Sequence, residues 1–426
     1  MSDDTLEFAA GGGLLHRRAF LAGGAVAAAA AALSGHAAAA ATIGDDAPSW
    51  MTGPGSGFRG YGEPAGQEST VLRTILKPYG DLAPGAGVAL TPLQNLEGAI
   101  TPNGLHFERS HNGRPGIDPD RHELLIHGLV ARPLKFTVES LLRYPMASRI
   151  CFIECAGNSF FNSNLFPEAM QVPVGMIHGL VSGAEWTGIP LATLLDEAGL
   201  DPRGKWILAE GADAAAMSRS IPIEKALGDA VIALYQNGER LRPEQGYPVR
   251  LLLPGYEGNM SIKWLRRIKV TAGPTHTKDE TSKYSDLMPD GKARQFTFRM
   301  GVKSTITRPA TGATMRGAGL YQISGLAWSG HGRVARVEIS ADGGKSWAEA
   351  ALDGPVLPMA LTRFRLPWLW QGAPALLQSR ATDEAGNMQV RREVWSAQYG
   401  AGHLYHCNAI QTWGIAANGD VSNVYI

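Results

Sequence analysis

The segment Cys151-Phe152-Ile153-Glu154-Cys155-Ala156-Gly157-Asn158-Ser159 is where the chain offers chemistry most clearly. An apolar run ends in a cysteine, and two small residues follow that let the backbone approach another group closely. A cysteine thiolate is a soft ligand, suited to a transition metal that shuttles electrons. Taken alone, the same pattern also describes a small apolar residue buried at a strand end. The chain holds three cysteines, Cys151, Cys155 and Cys407. An odd count leaves at least one sulfur unpaired. Cys151, four residues before Cys155, reads as a core residue. Two further look-alikes fail. Gly344-Lys345-Ser346 ends like a phosphate loop, but the first glycine of that pattern would fall on Ile339, within a strand pattern. His122-Glu123-Leu124-Leu125-Ile126-His127 has one residue too many for a zinc-protease helix and also reads as a strand. No Cys-x-x-Cys-His occurs in the sequence, so the chain attaches no c-type haem of its own.

The elements that must position Cys155 are mixed. From about residue 91 to 275, strand-like runs such as Leu124-Leu125-Ile126 and Val249 to Leu253 alternate with short helix-like runs, Val138 to Tyr144 and Leu191 to Ala198. Pro190 stands at the first turn of the second of these and Gly199 just past its end, the usual asymmetry of helix boundaries. The fold class expected is α+β, with one large core in this domain. From about residue 290 to 400 the pattern changes. Tyr321 to Gly325, Val334 to Ile339, Phe364 to Leu366 and Leu376 to Ala381 are short alternating runs, and Asp342-Gly343-Gly344 is a hairpin signal. A β-sandwich of roughly a hundred residues fits. Residues 401–426, with His403, Tyr405, His406 and Cys407, show no period and read as a C-terminal tail.

Residues 1–41 carry an address. His16-Arg17-Arg18-Ala19-Phe20-Leu21 has the twin-arginine form, an alanine-rich run follows to Ala32, and Ala38 to Ala41 offer small-residue cleavage sites. The expectation is export to the periplasm by the twin-arginine route, with no membrane span in the mature protein. Residues 42–90 begin in a Gly/Pro/Ser-rich stretch and form an N-terminal arm. Lys plus Arg and Asp plus Glu stand at 39 each, a balance that argues against nucleic acid as the main partner.

The tetrapeptide Cys155-Ala156-Gly157-Asn158 after apolar residues resembles the molybdenum-ligand segment of the sulfite oxidase superfamily. Other segments follow in the same order. Phe107-Glu108-Arg109-Ser110-His111 resembles an aromatic-x-Arg-Asn-His cofactor loop. Asp213 matches a family aspartate, Gly246-Tyr247-Pro248-Val249-Arg250 a Gly-aromatic-Pro-Val-Arg run, and Ser261-Ile262-Lys263-Trp264-Leu265 a cofactor segment. The resemblance implies Mo-molybdopterin as cofactor and Cys155 as the metal ligand. It implies cofactor binding by Phe107, Arg109, Ser110, His111, Asp213, Gln245, Arg250, Ser261, Ile262 and Lys263. An anionic pterin phosphate needs fixed donors, and Arg109, Arg250, Ser261 and Lys263 can supply them. Tyr284, 21 residues after Lys263, falls where the family keeps an active-site tyrosine. Tyr284, Arg109 and Cys155 are thus the implied catalytic set. Leu326-Ala327-Trp328-Ser329-Gly330 and the hairpin from Val337 to Trp347 resemble the family's immunoglobulin-like dimerisation domain. The resemblance covers about residues 91 to 400.

The substrate positions depart from the sulfite-specific pattern. Phe160 and Gln245 stand where those enzymes have an arginine and a histidine, and Gln398 where a further arginine is expected. Fewer cations weaken capture of a free dianion. This combination is similar to the molybdenum subunits of sulfane dehydrogenases. It implies oxidation of sulfane sulfur on a carrier protein in thiosulfate oxidation. The implied partners are that carrier, a c-type cytochrome subunit, and a second copy of the chain within a hetero-oligomer. The competing readings are a sulfite:cytochrome c dehydrogenase and a cofactor-free binding module built on the sandwich. Molybdenum content separates the last of these.

Overall fold

A computed structural model describes residues 8–16, 48–77, 83–400 and 402–426. The arginine pair Arg17-Arg18, the alanine run and the cleavage sites lie outside the described residues.

Helices are few and short, and strands do most of the building. In the first domain, one five-stranded sheet has the order Ser218–Pro222, Trp206–Gly211, Leu265–Thr271, Glu123–Gly128, Leu134–Thr137. Its pairs are antiparallel, except that Leu265–Thr271 runs parallel to Glu123–Gly128. A second sheet has the order Glu239–Arg240, Val231–Gln236, Val181–Pro190, Ala147–Glu154, with Arg250–Leu252 paired to Val231–Gln236. The helix Leu191–Ala198 buries Leu191, Leu194, Leu195 and Ala198 between them. That spacing is one apolar stripe at helical period. The helix stops at Gly199, whose φ of 72° suits a residue without a Cβ. Pro190 precedes the first helical residue, one position earlier than expected.

Residues 74–110 add a small antiparallel sheet of Thr74–Leu76, Gly87–Leu90 and Glu108–Ser110. The arm therefore supplies two strands beside the segment that carries Arg109. His122 and His127 flank or occupy the strand Glu123–Gly128, as their context suggests, and His122 Nε2 bonds the Leu265 carbonyl at 2.9 Å.

The second domain is a sandwich of two sheets. One is built on Lys303–Arg308, Gly319–Trp328 and Thr362–Trp370, the other on Val334–Ser340 and Ala375–Asp383. The C-terminal segment behaves differently from a tail. Thr412–Ile415 pairs with Ala375–Asp383, and Val421–Val424 pairs with Thr412–Ile415, completing the second sheet. These strands are only four residues each, too short for a period to show against polar neighbours. The sandwich core, with Trp328, Phe364, Trp368 and Trp413, continues into Phe152, Val174 and Val181 of the first domain. No helix among the described residues is long and apolar enough to cross a membrane.

Candidate active site

Strand geometry decides which way Cys155 faces. Along Ala147–Glu154, side chains alternate between the two faces of the sheet. Cys151 and Ile153 pack in a cluster with Phe107, Trp186 and Leu252, and Cys155 borders the same cluster. Phe152 points the other way, into the sandwich core. Glu154 shares that opposite side and is fully buried. It accepts from Lys303 Nζ at 2.6 Å, Trp328 Nε1 at 2.7 Å and Asn158 Nδ2 at 2.9 Å. The Cys155 amide is fixed to the Leu180 carbonyl at 2.9 Å, and the Asn158 amide returns to the Cys155 carbonyl at 2.9 Å. A Cβ on Gly157 would meet only the Cys155 sulfur, at 4.0 Å, so space remains beside the thiol.

That thiol borders a cavity of about 70 Å³. All of the implied residues, Phe107, Arg109, Ser110, His111, Cys155, Asp213, Gln245, Arg250, Ser261, Ile262, Lys263 and Tyr284, line it. Sequence separations of up to 177 residues, from Phe107 to Tyr284, close into one site. Each is delivered by a defined element. Arg109 lies on the strand Glu108–Ser110, opposite Val88. Gln245 ends a short turn, Pro243–Gln245, after which Gly246 takes a φ of 107°. Arg250 opens the strand Arg250–Leu252. Its guanidinium lies over the Trp186 ring, 5.1 Å from the centroid, and donates to the Gln245 and Ser261 carbonyls at 3.0 and 2.9 Å.

The electrostatics suit an anion. Lys263 Nζ donates to the carbonyls of Arg109 at 2.9 Å and Glu244 at 3.1 Å. The cavity carboxylates Glu108 and Glu244 face Arg73 and Arg114 instead, at 3.5 to 3.9 Å. Burial, only partly offset by the attraction of Glu108, draws Lys263 down to about 7, and burial draws Arg250 to about 9. His106 Nε2, Asp213 Oδ1 and Arg250 Nε are buried with no hydrogen-bond partner in the protein. Buried polar atoms of that kind need a partner. Arg250 Nε is a donor that an anionic pterin phosphate would satisfy. Asp213 Oδ1 and His106 Nε2, whose ring is neutral with Nδ1 donating to the Phe107 carbonyl, are acceptors that N–H groups of a pterin would satisfy.

Tyr284 lines the cavity within electrostatic reach of Cys155, and His111 stands beside it. The Tyr284 hydroxyl and His111 Nε2 are 2.9 Å apart, and the Arg219 guanidinium lies over the Tyr284 ring at 5.3 Å. Burial holds Tyr284 well above the usual phenol range, so it stays protonated. Burial, then the nearby Arg109, lowers His111 to about 3, so its ring is neutral. Cys155 is likewise raised by burial, whereas a bound metal would favour the thiolate.

Some expectations narrow. Ser110 spends its hydroxyl on the Gly113 carbonyl at 2.8 Å. Ile262 commits its amide to Met260 and its carbonyl to Leu251, leaving its side chain to shape the wall. Gln245 donates its amide to the Phe107 carbonyl at 2.8 Å, so it presents no charge. Phe160 does not line the cavity. It packs against Phe161 and Phe166 at 5.6 and 5.1 Å between ring centroids. Gln398 lines a different cleft, with Tyr256, Arg299 and His406. Cys151 is fully buried and burial pushes its thiol to about 12, a packing residue. Cys407 is buried beside Trp395 and Tyr399, and the neighbouring His406 amide bonds the Ala156 carbonyl at 2.8 Å. The C-terminal segment thus braces the Cys155 loop.

Sequence reasoning missed His106, Met217, Glu244 and Asn259 in the wall, and Arg219 behind Tyr284. His106 and Glu244 are neighbours of recognised motif residues and could have been found by adjacency. Arg219 sits alone in the strand Ser218–Pro222, with no local signal.

Comparison with known proteins agrees with this geometry. Residues 111–278 match the oxidoreductase molybdopterin binding domain, and residues 294–413 the Mo-co oxidoreductase dimerisation domain. The crystal structure of the sulfane dehydrogenase SoxCD from Paracoccus pantotrophus is similar, with TM-score 0.86 and 44% identity. The match covers 89% of this chain and 98% of that one. An inducible NADH nitrate reductase of Glycine max is 32% identical over 346 residues, 72% of this chain and 39% of the relative. An NADH nitrate reductase of Solanum lycopersicum is 31% identical over 355 residues, 72% of this chain and 38% of the relative. The chain spans about two fifths of the length of these curated relatives.

Proposed function

The chain belongs to the molybdopterin oxidoreductases of the sulfite oxidase superfamily, and from that premise we propose that it oxidises sulfane sulfur held on a carrier protein. The setting is periplasmic thiosulfate oxidation after twin-arginine export, and the electron acceptor is a c-type cytochrome partner. Its cofactor is Mo-molybdopterin, which supplies two-electron oxygen-atom transfer when bound. Cys155 binds the metal. Lys263, Arg250 and Ser261 hold the pterin phosphate, and Asp213 with His106 meets the remaining polar edge of the pterin. Arg109 steadies the anionic oxygens of the sulfur group, and Tyr284 donates a hydrogen bond there while His111 orients its hydroxyl. Each oxygen added to sulfur comes from water and releases two protons and two electrons.

The observation that carries the substrate class is the likeness to SoxCD along nearly the whole chain. The neutral Gln245 supports it, because the cavity has one fewer cation for a free dianion. The dimerisation domain supports a homodimer, placed here within a hetero-oligomer. Cytochrome reduction tests the proposal. It should require both the sulfur-loaded carrier and the partner subunit, and the isolated chain should bind molybdopterin but show no haem absorbance. Turnover on the carrier without molybdenum would reject it.

A further inference from the structure

A segment ahead of the arginine pair is built into the sandwich. Phe8–Ala10 and Leu14–Leu15 form a small hairpin, and Leu14 pairs with Trp368 at the outer edge of Thr362–Trp370. On its other side that strand pairs with Gly319–Trp328, and Ala351–Leu352 covers only Phe364 and Arg365 of the outer edge. The end near Trp368 therefore has this hairpin as its cover. Leu14 and Leu15 are 0% and 1% exposed, and Leu14 belongs to the sandwich core. The Trp368 indole donates to the Gly12 carbonyl at 2.6 Å, and the Gly11 amide donates to Ser346 Oγ at 2.9 Å.

The groove is cut to glycine. A Cβ on Gly13 would lie 2.1 Å from the Leu369 carbonyl oxygen, one on Gly12 2.7 Å from the Ala341 Cβ, and one on Gly11 2.8 Å from Asp342 Oδ2. Gly12 and Gly13 also adopt φ of 73° and 90°, the left-handed region. Backbone pairing, two buried leucines and three side-chain-free positions together make a specific fit by strand addition.

We propose that the outer edge of Thr362–Trp370 is a docking groove for the chain's own Phe8–Leu15, so that the arginine pair is tethered to the finished sandwich. The groove needs both the loop after Val334–Ser340 and the strand Thr362–Trp370 in place. Docking therefore follows folding, and the accessibility of the arginine pair reports it. It also covers a strand edge that would otherwise be free to pair with another chain.

The test is hydrogen exchange and limited tryptic cleavage of the full-length, cofactor-loaded chain. Cleavage after Arg17 or Arg18 needs several extended residues on the N-terminal side, and Leu14 and Leu15 are buried. In the wild type, the peptide covering residues 8–16 should exchange at least roughly tenfold slower than the same peptide free in solution. Gly13→Val and Leu14→Asp should each remove that protection and speed cleavage at the pair by about tenfold or more. Gly57→Val, where a Cβ meets nothing within 4 Å, should leave both unchanged. Free-peptide exchange of residues 8–16 in the wild type, or equal cleavage in the wild type and both docking variants, would overturn the proposal.

Discussion

At the scale of single residues, the site divides its work between one sulfur and a set of buried cations. Cys155→Ser removes the soft ligand, so turnover and molybdenum retention should be lost while circular dichroism stays that of the wild type. Cys151→Ser changes only a packed side chain and should cost about 1 to 3 kcal/mol in stability, without loss of metal. Full activity in Cys155→Ser would refute the ligand assignment. Lys263 makes a prediction with a sign. Its folded value of about 7 lies below its ordinary value of 10.5. Between these two the unfolded chain binds more protons, so this group makes the cofactor-free fold more stable as pH rises from 7 to 10.5. The penalty is fully present below about 7. Phosphate binding favours the ammonium, so pterin retention should weaken as pH rises above 7. Lys263→Met should bind less cofactor and show a flatter pH profile. Fluorescence of released pterin after dialysis measures it, and a wild-type retention that rises with pH would contradict it.

At the scale of elements, the strand Ala147–Glu154 is the hinge of the design. Its alternation sends Cys151 and Ile153 toward the cavity side, with Cys155 following them, and Glu154 toward the sandwich, where Lys303 and Trp328 hold the carboxylate. Lys303→Met strands a buried carboxylate and should lower stability by about 3 to 5 kcal/mol, whereas adding Glu154→Gln should recover part of it. Thermal unfolding of the two variants checks this, and equal midpoints for wild type and Lys303→Met would show that the pair contributes nothing. Much of the arrangement was legible beforehand. The cysteine after an apolar run, the ordered Arg109, Arg250 and Lys263 segments and the hairpin at Asp342-Gly343-Gly344 are local patterns, and local patterns survive in sequence. What was hidden depends on distant packing. Thr412–Ile415 looks featureless because four residues give no period, and Arg219 because its partners Asn259 and Glu257 lie about forty residues away. Phe160, five residues after Cys155, follows a left-handed turn at Ser159 with a φ of 68° and packs against Phe161 and Phe166 outside the cavity lining.

At the scale of the whole molecule, a catalytic domain and a sandwich share a continuous core, and the C-terminal segment braces the metal-ligand loop from the sandwich side. The dimerisation domain should place two chains in one particle, which native mass spectrometry would show as twice the chain mass; a monomer at micromolar concentration would contradict it. Replacing Arg17 and Arg18 by Lys should leave the precursor in the cytoplasm, and periplasmic holoenzyme from that variant would exclude the twin-arginine route. The central claim is that sulfur arrives on a protein carrier and not as a free dianion. The measurement that addresses it most directly is the ratio of kcat/KM for the sulfur-loaded carrier to kcat/KM for free sulfite, taken with the cytochrome partner present. The account predicts a ratio well above one. A ratio below one would mean that free sulfite is the substrate and that the chain is a sulfite dehydrogenase.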